Sequence, residues 1–98
     1  MFVFEDIVML DDRSVQTLLR EVSNDTLLLA LKTASEEIKE KFFKNMSSRA
    51  AEMLKEDLET MGPVKVSEVE NAQKEIVKIV RKLIQEGKIT LGKGEEMV

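Results

Sequence analysis

The charges whose spacing is most suggestive lie in SSRAAEMLKEDLETMGPVKV, Ser47 to Val66. At about 100° per residue, Ala50, Ala51, Leu54, Leu58 and Met61 share an arc of roughly 100° that must face a core. Arg49, Glu52 and Glu56 fall on the far side, Asp57 sits on one flank, and Lys55 and Glu59 take the other. Arg49 and Glu56 are two helical turns apart along one ridge. Lys65 follows just past the turn made by Gly62 and Pro63. The chemistry offered is docking: both signs of charge on a rigid rod give a partner steering and orientation more than raw affinity. A solvated face of exposed charges is the competing reading, since most such residues give only solubility and weak pairing along the helix. Spacing alone leaves both open.

Bond-making chemistry finds little support. The chain has no His and no Cys, which removes Ser-His-Asp and Cys-His nucleophilic arrangements, zinc sites and disulfides together. The carboxylate pairs Asp11-Asp12 and Glu36-Glu37 sit at helix starts, where acids cap backbone N–H groups and favour the helix dipole. No oxygen-rich loop of the EF-hand type is present, so neither a metal nor any other cofactor is expected, and an enzyme is the remote option.

The 98 residues, 43% hydrophobic and 35% charged, make one small helix-rich domain. A net charge of −4 argues weakly against nucleic acid. No apolar run approaches the roughly 18 residues that a bilayer span needs. The opening MFVFEDIVML is interrupted by Glu5 and Asp6 and lacks a basic leader. A signal peptide is therefore not expected, and a cytoplasmic setting is the default.

Phe2, Ile7 and Leu10 suit a short first helix or anchoring segment. Asp12 offers an N-cap to a helix with Val15, Leu18, Leu19 and Val22 at i, i+3, i+4, i+7. Asn24 or Asp25 caps TLLLALK, the most continuously apolar run. Thr33 and Glu36 have capping-box spacing before SEEIKEKFFKN, as do Ser67 and Glu70 before the last helix. That helix carries Val69, Ala72, Ile76, Ile79, Val80 and Leu83 on one stripe and stops at Gly87. Gly62 suits a left-handed helix end, with Pro63 forbidding continuation. The six Met residues read as core filling. The expected fold class is all-α, a compact bundle of five or six short helices with short loops between antiparallel neighbours.

Taken together, MFVFEDI, LDDRSVQTLLREV, LALKTASEEIKEKFFKNMSSRAAEMLKEDLE and GPVKVSEVENAQKEIVKIVRKL resemble the C-terminal domain of the bacterial flagellar motor switch protein FliG, over residues 1 to about 91. The resemblance implies an armadillo-like C-terminal domain on the flagellar C-ring, at the cytoplasmic face of the inner membrane. It implies torque generation and switching of rotational direction through contact with the cytoplasmic loop of the stator protein MotA, and association with FliM mostly through other parts of the full-length protein. The stator-facing charges carry over to Lys32, Arg49, the pair Glu56-Asp57, and Lys65. Glu56 stands where the family usually has Asp, and Lys65 where it has Arg, with sign kept at both. Met1, Phe2, Val3 and Phe4 match the family's hinge motif. The expected organisation is a hinge segment and first helix over 1–10, a torque-generating domain over 11–91, and a flexible tail over 92–98. The rival reading is a helical adaptor that takes a partner peptide in an apolar groove near the N-terminal segment. Added salt should weaken the charged ridge and spare such a groove.

Overall fold

The computed structural model describes residues 2–89, so Met1 and the tail expected over 92–98 lie outside the described residues. Described residues form a 3-10 helix (Phe4–Met9) and five α-helices: α1 (Asp12–Leu19), α2 (Asn24–Leu31), α3 (Glu36–Phe43), α4 (Ser48–Thr60) and α5 (Val66–Gln85). No strand occurs among them, and the all-α expectation stands.

Short polar side chains start four of the helices. Asp11, Ser23, Ser35 and Ser47 are extended at ψ near 155–170° and accept from the backbone N–H three residues on. The caps differ from several sequence expectations. Asp11, not Asp12, caps α1, leaving Asp12 as the first helical residue. Ser23 precedes both Asn24 and Asp25 and takes the cap of α2. Thr33 does not open α3, because its hydroxyl accepts instead from Gln73 Nε2 at 3.2 Å, and Ser35 provides the cap. Ser67 lies inside α5, whose N-cap is Lys65 without any side-chain bond. Gly62 is not left-handed either. The left-handed glycine is Gly87 at φ 74°, where Gly87 N–H bonds Ile84 O and Lys88 N–H bonds Leu83 O to close α5.

The long helix α5 is the spine. It packs chiefly on α2 and also meets α1 and the 3-10 segment, while α3 leans on α1 and the 3-10 segment and α4 on α2. Val69, Ala72, Ile76, Val80 and Leu83 are buried along α5, and Ile79 is half-buried. Ala72, Ile76, Val80 and Leu83 share one core cluster with Leu27, Ala30 and Leu31 of α2 and with Ile38 and Phe42 of α3, and Ile79 packs against it. Gln73 Nε2 also donates to Ala30 O at 3.0 Å, pinning α5 to the end of α2. Asn45 joins α1 to the end of α3, accepting from Gln16 Nε2 and donating to Asp12 Oδ1.

The N-terminal segment packs on its own core. Phe2 and Phe4 are 7% and 8% exposed and Ile7 and Leu10 are fully buried, whereas Val3 faces outward. Asp6 accepts from Val3 N–H at 3.0 Å, and Arg81 Nη2 of α5 donates to Phe2 O at 3.4 Å.

Candidate docking ridge

The Ser47 hydroxyl starts α4 by accepting from Ala50 N–H at 3.1 Å, and the helix then runs 13 residues. Ala51 and Leu54 are buried and Ala50 and Leu58 half-buried, so this face lies against the body of the domain. Arg49, Glu52, Lys55, Glu56, Asp57 and Glu59 are all exposed. Arg49 and Glu56 are separated by two turns, about 10 Å of rise, beyond ion-pair reach. None of Lys32, Arg49, Glu56, Asp57 and Lys65 forms an ion pair among the described residues, where the pairs are Glu36–Lys39, Asp12–Lys44 and Glu86–Lys88. Lys55, by contrast, is drawn to the flank, with Nζ 5.1 Å from the centre of the Phe43 ring.

Three elements position the five candidate residues. Arg49 and Glu56 share the outer ridge. Asp57, about 100° round the helix, points over a small cleft of about 140 Å³ between α4 and the start of α2, lined also by Asp25, Leu28 and Met53. Lys32 caps the end of α2, is half-buried, and its Nζ approaches Met61 O at 3.5 Å. That contact sets a cation at the C-terminal end of α4, where the helix dipole favours one. Lys65 is exposed at the N-cap of α5, where the same dipole opposes it. The structure thus brings Arg49, Glu56 and Asp57 together on one helix and Lys32 to that helix's far end. Lys65 stands on the next helix start.

Met53 belongs to the ridge and is missing from the sequence-based set. It is 58% exposed, one turn beyond Arg49 and one turn before Asp57. Its omission from the apolar arc of α4 is the signal that could have found it. The core-filling expectation for methionine fails here and at Met9, 57% exposed, because neither position faces the core.

By its fold and surface the chain is a helical-bundle domain that displays charges of both signs on an exposed helix. It belongs to the FliG C-terminal domain family, whose model matches residues 1–91. It is 60% identical to the flagellar motor switch protein FliG of Pseudomonas aeruginosa and 58% identical to that of Thermotoga maritima, all of this chain aligning in each case. The chain spans only 30% of the length of those curated relatives. Among solved structures, full-length FliG from Aquifex aeolicus superposes with a TM-score of 0.86 at 53% identity, over 89% of this chain and 27% of that one. The FliG fragment 116–343 from H. pylori gives 0.87 at 44% identity, over 91% of this chain and 39% of that one.

Proposed function

We propose that this chain is the torque-bearing domain of a flagellar rotor and switch protein, and that Lys32, Arg49, Glu56, Asp57 and Lys65 meet the cytoplasmic loop of a MotA-type stator. The observation that carries this reading is the ridge itself: charges of both signs, free of ion pairs among the described residues, on a helix whose opposite face is fixed in the domain. Each exposed pair formed with a partner is worth on the order of 1 kcal/mol or less, which suits contacts that must be released in turn as a rotor passes. In the same reading residues 11–91 form the torque-generating domain, and Met1, Phe2, Val3 and Phe4 act as the hinge that reorients the ridge between rotational senses. FliM binds mainly through other parts of the full-length protein, and the whole assembles in the C-ring at the cytoplasmic face of the inner membrane.

The test is single-motor torque with Arg49→Glu and Lys32→Glu in the full-length protein, alone and beside charge reversals in the stator loop. Torque should be severely reduced in the rotor double variant and recovered by a stator reversal. Normal torque in that variant would return the ridge to a solvated face. Arg49 alone should weaken torque less than the pair, and the folded domain should keep its helical signal, since Arg49 is exposed and supports no internal ion pair.

A further inference from the structure

We infer that the trough between the N-terminal segment and α5 is a second docking surface, one that takes an acidic amphipathic helix of another protein. The trough measures about 730 Å³, is open to solvent, and no residue of the charged ridge lines it. Its apolar floor is Val3, 49% exposed, with half-buried Val77 and the edges of Phe2 and Phe4. Such a floor, apolar yet left in water, suits side chains spaced one helical turn apart on a partner helix.

Charge decides what the occupant must be. Lys74, Lys78 and Arg81 recur at i, i+4 and i+7 along one rim, three cations within about 10 Å of helix rise on a chain whose net charge is −4. Among the described residues none forms an ion pair, and the guanidinium of Arg81 donates to the Phe2 carbonyl. Glu70 closes the opposite end of the trough. A helix running antiparallel to α5 would bring its N-terminal half to Lys78 and Arg81 and its C-terminal end to Glu70. Acids near a helix start and a base near its end also agree with that helix's own dipole, so the rim selects one sign and one direction. Because Phe2, Val3 and Phe4 line the trough together with α5, an occupant would also clamp the N-terminal segment onto α5.

The test titrates a labelled peptide of about 15 residues into the 98-residue chain and follows fluorescence anisotropy. The peptide carries Glu in its N-terminal half, Leu along one helical face and a single Lys near its C-terminus. Saturable binding is expected, and it should weaken roughly tenfold or more when Lys74→Glu and Lys78→Glu are combined. Val3→Asp should also weaken it, while Arg49→Glu on the distant ridge should leave it unchanged, which separates this surface from the stator-facing one. Circular dichroism confirms that each variant, altered only at exposed positions, stays folded. Three results would overturn the inference: no saturable binding, equal binding by a peptide with Lys at each Glu position, or insensitivity to the Lys74/Lys78 reversal. Binding to phosphatidylglycerol vesicles without binding to the peptide would overturn it too, by making the rim a lipid-headgroup contact.

Discussion

Asp11 shows how much one side chain decides locally. Its carboxylate accepts from Ser14 N–H at 2.8 Å, and that backbone bond, followed by the Ser14 hydroxyl, holds its pKa below the ordinary carboxylate value, with Lys41 and Arg13 adding smaller help against the cost of burial. Asp11→Ala should cost about 1 kcal/mol at neutral pH, read by denaturant unfolding. The folded pKa is the depressed one, so this contribution is present above the ordinary carboxylate pKa and disappears as pH falls through the lowered value. A difference between wild type and variant that stayed constant down to strongly acid pH would point away from the cap. Adjacent residues on α4 give a second contrast. Leu54 is 6% exposed and Met53 58%, so Leu54→Ala should cost about 2–4 kcal/mol while Met53→Ala stays within about 0.5 kcal/mol. A comparable loss at Met53 would mean that it packs on something the exposed ridge does not offer.

At the scale of the element, α4 and α5 divide the labour. The first buries a narrow face and leaves its charges in water, so it presents a pattern without bending to it. The second is the spine against which α2, α1 and the N-terminal segment pack. Its start breaks a local rule: Lys65 occupies an N-cap, where Asp, Asn or Ser would bond the free N–H groups and where a cation opposes the dipole. Local rules are broken most often where function demands it, which agrees with Lys65 serving the ridge. Lys65→Asp should therefore raise stability by about 0.5–1 kcal/mol, a gain of several degrees in Tm for a domain of this size. The same change should lower torque. A drop in Tm would show that Lys65 stabilises the α4–α5 turn by a route other than capping.

At the scale of the molecule, the two proposed docking surfaces sit on one small core. The ridge of α4 and the trough of α5 share no residue, and the N-terminal segment walls the trough while its aromatic side chains complete the core. Phe2→Ala should therefore act twice. It should destabilise by about 2–4 kcal/mol, within the range for truncating a buried aromatic, and loosen the segment that Arg81 holds by its carbonyl. Hydrogen exchange at Phe4 to Ile7 should accelerate more than exchange in α4. Uniform acceleration through both would mean that the segment has no independence from the rest of the fold. The basic rim also changes what salt can tell. An uncharged groove would tolerate added salt, but binding along Lys74, Lys78 and Arg81 should weaken with it, as ridge contacts do.

Helix existence, type and approximate extent were legible in the sequence, because a core-facing stripe such as Val69, Ala72, Ile76, Val80 and Leu83 repeats at the helical period whatever lies opposite it. The far side of α4 was legible for the same reason, and Arg49 and Glu56 could be set on one ridge before any tertiary structure was known. Choices among neighbouring candidates were not. Asp11 against Asp12, Ser23 against Asn24, and Ser35 against Thr33 depend on which side chain is free to reach a backbone N–H, and Thr33 is claimed by Gln73 from 40 residues away. Only packing could carry Lys32 to the end of α4 or leave a trough between residues 2 and 81, since each joins segments that no local pattern relates. Periodicity determines which way a residue points on its own element; what it meets there is decided by the elements that fold against it.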